Sequence, residues 1–320
     1  MHYKKISQNI QQIIINNPKT PSTNVAWINI NNPGKKEIEF LRRKYQFNLN
    51  HLHASSAKAM AQRPMVVQEK DYLFMILHFP VFQNNNIIAG EIEFFIGHGF
   101  LITLHNNDKI LNSFFNICKK DSNSLLSYEL ESSAILLYEI LKNLMVNCYD
   151  LLDQNSINIQ KIEQIIFSQE QKTAILQILS LKRNIINIRK IMQSHKNVLK
   201  KLIGMKSSLV AKTKIKNYYY ILIEHSKRIW EILENQKEMI EALHNTNESF
   251  LNDRISNIMK TLTIFSVIVF PLNLFAALFG MNVLDGMPFL NTKYGFWIII
   301  ATMLVGSFGM LLIFAKKKWL

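Results

Sequence analysis

The sequence predicts an α/β cytosolic domain, with a mixed sheet and long helices, that continues into a long stalk helix and two C-terminal transmembrane helices. Three observations predict this order. Short apolar or alternating runs separated by turn signals fill the first part of the chain, no proline occurs between Pro80 and Pro271, and two long uncharged apolar runs lie near the C-terminus. The predicted boundaries are 1–24 for an N-terminal segment, 25–214 for the cytosolic domain, 215–279 for the stalk helix and first span, 280–295 for an extracytoplasmic loop, 296–315 for the second span and 316–320 for a basic tail.

The predicted sheet begins at Asn24–Ile30, a β-branched and aromatic run that is followed by a proline and a glycine. A helix comes next, because Ile38, Leu41 and Tyr45 recur at helical spacing. Four further apolar runs predict the remaining strands. They read MVVQ, YLFMILHFPVF, GEIEFFIG and FLITLH, between residues 65 and 105.

Helices are predicted over 131–152, 157–177 and 181–202. The predicted stalk helix runs from about 215 to 279, through the first span, without a convincing stop. At about 1.5 Å per residue it would approach 100 Å. The alternative is two helices with an unmarked break. Apolar residues at roughly heptad spacing predict that the stalks of several copies pack together. This apolar stripe consists of Ile229, Leu233, Ile240, Leu243, Phe250, Ile255, Ile258 and Leu262.

Two apolar runs are long enough to cross a bilayer. No charged residue lies between Lys260 and Asp285 or within 296–314, and a transmembrane helix needs about 20 mostly apolar residues. Three lysines at 316–318 close the second run, and few charges lie between the two runs. Because positive flanks stay inside, we expect a multi-pass protein of the cell (inner) membrane with both termini in the cytoplasm.

Charge, cysteines and motifs exclude several classes of function. The net charge of +14 fits a solvated basic surface or anionic lipid headgroups, whereas the lysine clusters lack the interleaved aromatics of a nucleic-acid site. Cys118 and Cys148 are expected to be buried in a reducing compartment, and the N-terminus does not resemble a signal peptide. Nucleotide-binding and hydrolase motifs are absent from the sequence, so we expect no catalysis and no cofactor. A membrane-anchored enzyme or sensor without conduction stays an alternative.

One face of the first span is predicted to line a pore. Two helices cannot enclose a polar pathway, so conduction requires several copies around an axis. Polar residues within a span usually face the protein interior, although Asn273 alone could instead join helices by hydrogen bonding. The predicted pore face comprises Ser256, Met259, Leu262, Ser266, Phe270, Asn273, Ala277 and Gly280.

Gly280, Met281 and Asn282 end the first span. Glycine leaves helical geometry without a Cβ penalty. A ring of Asn282 amide oxygens would then bind the water shell of a hard cation such as Mg²⁺, which gives up its waters reluctantly. Leu262 and Phe270 would form apolar collars that close the path by dewetting. The same tripeptide is equally compatible with an ordinary helix C-cap.

The run RISNIMKTLTIFSVIVFPLNLFAALFGMNV, followed by a short loop, a second span and the ending KKKWL, resembles the CorA group of divalent-cation transporters, and the resemblance covers most of the chain. It implies a homopentamer in which cytosolic domains form a funnel and stalk helices line the pore. The implied substrate is Mg²⁺, often with Co²⁺ or Ni²⁺. The resemblance also implies a selectivity filter at Gly280, Met281 and Asn282, and a gate at Leu262 and Phe270.

The sequence departs from the family pattern at three places. Ser256 stands where the family commonly has an asparagine, Ser55 and Ser56 replace a frequent acidic pair, and the loop reads MPFL instead of an acidic stretch. The family's sensor of cytosolic Mg²⁺ therefore does not transfer to this chain. Other acids could replace these ligands for a regulatory metal, or could simply be solvated charges on helix faces. They are Asp150, Asp153, Glu241, Glu248 and Asp253.

The main alternative for the ion is Zn²⁺, as implied by the ZntB branch of the same fold. The predicted pore offers no cysteine or histidine for zinc, which favours Mg²⁺. Four histidines of the soluble part are expected to be ordinary packed or surface residues: His51, His53, His98 and His105.

Overall fold

The computed structural model describes residues 2–15, 24–56, 63–83, 86–120, 132–168, 171–205, 207, 209, 213–281, 288–289, 292–317 and 319. The chain divides into two compact units, 1–244 and 245–320. One helix, Thr213–Phe279, belongs to both units.

The strands of the first unit are β1 His2–Lys5, β2 Ile10–Ile15, β3 Val25–Asn31, β4 Met65–Gln68, β5 Tyr72–Gln83, β6 Asn86–Gly97 and β7 Phe100–His105. They form a seven-stranded sheet in the order β1-β2-β3-β7-β6-β5-β4. Neighbours are antiparallel except β3 and β7, which are parallel with Ala26 opposite Phe100. The sheet is therefore mixed, as predicted.

The helices are α1 Lys35–Tyr45, α2 Leu49–Ser56, α3 Lys109–Lys120, α4 Ser133–Phe167, α5 Gln171–Met192, α6 His195–Gly204, α7 Thr213–Phe279 and α8 Gly295–Lys316. Polar side chains fix helix starts by accepting hydrogen bonds from free main-chain N–H groups. Asp108 accepts from the N–H of Leu111 at 2.8 Å, and Ser132 from that of Ile135 at 3.4 Å.

Two apolar clusters cover the two faces of the sheet, because successive strand residues point to opposite faces. One face, which carries Trp27 and Phe94, packs in a cluster with residues of α3 to α7. The other face, which carries Phe74 and Phe95, packs with residues of α1 and with Leu52 of α2.

A buried polar network ties β3, β7 and the start of α3 together. Trp27 Nε1 donates to Thr103 Oγ1 at 3.1 Å, and Thr103 donates to Asn29 Oδ1 at 2.8 Å. His105 Nδ1 accepts from the N–H of Asp108, so Nε2 carries the proton and donates to Asn29 at 3.0 Å. Burial lowers the pKa of His105 to about 4. This histidine is an ordinary packed residue, as predicted.

The predicted strands from residue 24 to residue 105 are confirmed, and two features of the first unit differ from expectation. The N-terminal segment contributes β1 and β2, which the sequence analysis did not predict. The helices predicted over 157–177 and 181–202 are wrong in their limits, because α4 ends at Phe167 and α5 runs from Gln171 to Met192. Neither glycine nor proline marks this break in the sequence.

The apolar stripe of α7 has a different role in the first unit from the one predicted. Ile229, Leu233 and Ile240 are fully buried in the core of their own chain. They are therefore not available to neighbouring stalks, and the heptad spacing reflects packing within one chain. In the second unit the same stripe is exposed, as at Ile255 and Ile258.

Candidate ion pathway

Helices α7 and α8 are each long and apolar enough to cross a membrane. The most apolar segment of each helix is almost entirely unburied by the rest of the chain. Pro271 lies inside α7, where it removes one main-chain donor and leaves a carbonyl one turn earlier without its helical partner. The second unit therefore has the composition of two spans, with a proline in the first.

The predicted pore face of α7 is exposed, as is most of the surface of this helix in the second unit. At about 100° per residue, its members from Ser256 to Gly280 fall within a sector of about 120°. Leu262 and Phe270 are 56% and 70% exposed. Ile264, the one buried apolar side chain among the described residues of the two spans, lies about 140° from the middle of that sector. The chain thus leaves the predicted pore face free for other copies or water.

Polar groups on this face differ in how far the helix satisfies them. The hydroxyl of Ser266 donates to the carbonyl of Leu262 at 2.8 Å. Asn273 makes no hydrogen bond with another described residue and is exposed. Closer to the N-terminus of α7, Asn257 Nδ2 donates to Asp253 Oδ2 at 3.1 Å. An amide at Asn273 is thus available on the same face as Leu262.

The first span ends in a helical turn. The N–H of Gly280 bonds the carbonyl of Ala276 at 2.9 Å, and that of Met281 bonds Leu278 at 3.3 Å. Gly280 directly follows the last residue of α7 and does not adopt a positive φ. Met281 is exposed. Asn282, the predicted ring of amide oxygens, lies outside the described residues.

The five acids considered for a regulatory metal do not come together. Within the part of the chain that the structure describes, no group of three or more histidine, cysteine or acidic residues could hold a metal ion. Glu241 faces Lys182 at 3.8 Å, and Asp253 accepts from Asn257. Asp150 and Asp153 are exposed on α4. Glu248 also belongs to no such group.

A buried acid that the sequence analysis missed lies beside Ser55. Glu93 of β6 is buried, and its Oε2 has no hydrogen-bond partner among the described residues. Burial, with a smaller contribution from Glu91, raises the pKa of Glu93 far above its ordinary value. Ser55 donates its hydroxyl proton to the carbonyl of His51 at 3.0 Å, and a hydrogen-bonding contact of its side chain with Glu93 lowers the pKa of Glu93 by less than burial raises it. Ser55 is therefore a packed residue, and alternation along β6 was the only signal for Glu93.

Both cysteines are buried and free, as predicted. Burial raises the pKa of each thiol to about 12, so both are protonated at neutral pH. His51 is likewise a packed residue, with Nδ1 at 3.0 Å from the hydroxyl of Tyr72 and its ring stacked on Phe74.

One helix, α7, runs from the mixed-sheet unit into the first of two apolar spans. This arrangement defines a membrane protein of the two-span class. The model of the CorA-like Mg²⁺ transporter protein family matches residues 22–317. The chain therefore belongs to the CorA-like Mg²⁺ transporter family, and the resemblance noted from the sequence is confirmed.

Named relatives agree with this assignment. The cobalt/magnesium transport protein CorA of Thermotoga maritima is 24% identical over 306 residues, which cover 95% of this chain and 86% of that protein. The complete structure of the CorA magnesium transporter from Methanocaldococcus jannaschii has a TM-score of 0.83 at 19% identity and covers 92% of both chains. The ZntB cytoplasmic domain from Vibrio parahaemolyticus has a TM-score of 0.58 at 15% identity, covering 76% of this chain and 98% of that domain.

Proposed function

We propose that the protein mediates passive entry of Mg²⁺, driven by the membrane potential, through a pore on the axis of a homopentamer. Co²⁺ and Ni²⁺ are further substrates of the same pore. Both termini lie in the cytoplasm, and the loop after Gly280 faces outward. The filter consists of Gly280, Met281 and Asn282, and Leu262 and Phe270 are the apolar gate.

One observation carries this proposal. The predicted pore face of α7 combines the two bulky apolar side chains of Leu262 and Phe270 with the amide of Asn273, and no charged residue occurs from Thr261 to Asn282. Neutral oxygens suit a cation that keeps its water shell, and apolar collars block a wide path when they lose water. Membership of the CorA-like family supports the choice of Mg²⁺.

Ion uptake into proteoliposomes that contain the full chain tests the proposal. A dye for Mg²⁺ inside the vesicles should report entry at a rate that rises as a potassium-diffusion potential makes the lumen more negative. Co²⁺ and Ni²⁺ should compete, and protein-free vesicles provide the baseline. Absence of potential-dependent Mg²⁺ entry would contradict the proposal.

The same vesicles separate Mg²⁺ from Zn²⁺ transport. A Zn²⁺ transporter would load a zinc dye faster than the magnesium dye. Uptake that follows an imposed pH gradient would indicate the zinc-type mechanism. We expect the pH gradient to have little effect on Mg²⁺ entry.

A further inference from the structure

A basic and apolar stripe covers the outward face of α5. Its members recur at intervals of three or four residues, and its three apolar side chains are 72%, 55% and 46% exposed. No acidic residue occurs from 171 to 204. This basic stripe consists of Lys172, Leu176, Leu179, Arg183, Ile186 and Lys190.

The subunit itself leaves the basic stripe uncovered. The opposite side of α5, including Ile178, is buried in the core. Cations at the flank of α5 are already paired with α7: Arg189 contacts Glu234, and Lys182 contacts Glu241. The cations of the basic stripe make no ion pair with another described residue. Large exposed aliphatic side chains at helical spacing indicate a surface that another element covers.

Three glutamates on the outward face of α7 form an acidic stripe in the same unit, and exposed Lys227 and Arg228 lie on that face near its first two members. Glu224, Glu231 and Glu238 recur every seven residues and are exposed, and the face opposite them carries buried Leu233. Within the described residues, Glu231 meets only Lys227, at 4.0 Å, and the other two glutamates have no ion pair. The acidic stripe therefore also lacks a partner within the subunit.

We propose that the basic stripe of one copy packs against the acidic stripe of the neighbouring copy. This inference rests on the self-assembly in the proposed function and identifies the surfaces that make it. The two stripes do not meet within one chain, because α5 and α7 already contact each other through their flanks. A contact between two different surfaces is heterologous and can close into a ring. The aliphatic side chains supply buried area, and the opposite charges select the partner.

The pairs within one subunit define levels along the two helices. Two residues are called level when they lie at the same height along the helix axes. The ion pairs make Arg189 level with Glu234, and Lys182 level with Glu241. Residue numbers rise along α5 as they fall along α7, so the two helices are antiparallel.

A closed ring has rotation but no translation along its axis. For helices that run along this axis, residues facing each other between copies lie at the same level as within a subunit. Arg183 is then level, within one turn, with Glu238 of the next copy, and Lys190 with Glu231. The spacing agrees, since each pair of like charges is seven residues, or about 10.5 Å, apart.

Disulfide cross-linking of the full chain in detergent tests this register. Cysteines placed by Arg183→Cys and Glu238→Cys should form chains of linked subunits under mild oxidation. The matched control combines Arg183→Cys with Glu224→Cys, which is about 21 Å out of register, and it should link at least about tenfold less. Both native cysteines are buried, so the wild type should give little background.

Assembly and transport are measured on the same samples, by light scattering and by Mg²⁺ uptake. An assembled, transporting variant in which the in-register pair fails to link, or links no better than the control, refutes the interface and leaves the proposed function intact. A wild type that is monomeric refutes both.

Charge reversal tests the pairing without cysteines. Arg183→Glu should lower the assembled fraction severalfold at moderate salt, and adding Glu238→Arg to the same chain should restore it. If Arg183→Glu leaves assembly unchanged but removes a stimulation of Mg²⁺ uptake by phosphatidylglycerol in the vesicles, a lipid surface covers the basic stripe and the proposal is wrong.

Discussion

Gln236 on α7 donates a 2.7 Å hydrogen bond to the main-chain carbonyl of Leu152 on α4. The same side-chain amide donates to Ser156 Oγ at 3.0 Å, and its oxygen accepts from Asn155 Nδ2 at 3.3 Å. These groups are buried or partly buried. The soluble part of α7 is therefore fixed on α4 by polar groups that have their partners only in one register.

Replacing this amide should weaken the soluble unit. Gln236→Leu leaves the buried amide of Asn155 without its acceptor, so we expect the free energy of unfolding to fall by about 1–3 kcal/mol. Denaturant unfolding of the full chain in detergent measures the change. Asn235→Leu, at an exposed position one residue away, is the control and should change stability far less. Equal losses in the two variants would disprove a specific role for the network.

Because Glu93 is protonated in the folded chain, the free energy of unfolding should depend on pH at values above the usual pKa of a carboxyl group. Its raised pKa means that the folded chain holds a proton that the unfolded chain has lost, so stability falls as pH rises. Glu93→Gln mimics the protonated acid and should flatten this fall between about pH 5 and pH 8. The measurement is unfolding free energy against pH. The exposed Glu163→Gln should keep the wild-type slope, and a slope that Glu93→Gln does not alter would refute the assignment.

His195 should contribute to loss of stability in acid. Its ring is buried against Phe79, with 5.0 Å between ring centroids, and burial lowers its pKa to about 4. Since an unfolded histidine titrates near about 6.5, the unfolded chain gains a proton first and stability falls as pH drops from about 6.5 to about 4.

His195→Leu should remove up to about 3 kcal/mol of that acid loss and match or exceed wild-type stability above pH 7. His105 should keep a share of the acid loss in the variant, because its pKa is also about 4. A variant that loses stability in acid as steeply as the wild type would show that His195 is not responsible.

Removal of the filter amide should greatly slow transport. Asn282→Ala deletes the amide oxygen proposed to hold the hydrated cation, so Mg²⁺ entry should fall at least about tenfold. Asn291→Ala removes an asparagine from the same loop outside the filter and should retain most of the rate. Dye uptake into proteoliposomes measures both. Wild-type uptake by the Asn282 variant would show that the filter lies elsewhere.

A polar residue at the gate should make the closed pore leak. Leu262→Ser lets water enter the apolar collar, so Mg²⁺ entry should rise severalfold above that of the wild type at the same membrane potential. Phe265→Ser changes another exposed apolar residue of α7, outside the predicted pore face, and should behave like the wild type. Equal leakage in the two variants would argue against Leu262 as the gate.

Strand patterns, the two spans and the long helix could be predicted because each depends on residues close in sequence. Period-two runs produced β3 to β7, and the absence of breakers produced α7. The first two strands were missed although β2 is rich in isoleucine: β2 pairs along the edge of β3, and the short polar β1 becomes a strand because β2 then offers it an edge. The break between α4 and α5 was missed because packing, not glycine or proline, reverses the chain there.

The sequence by itself determined the family, the spans and the face of α7 on which Leu262 and Phe270 lie, because helical periodicity fixes which residues share a face. Only the tertiary structure decided that Ile229 and Leu233 are buried within their own chain, that Glu93 lies beside Ser55, and that the outward stripes of α5 and α7 carry opposite charge. Burial depends on elements that are distant in the chain. A pattern can therefore indicate that a face is apolar or charged without indicating what covers it.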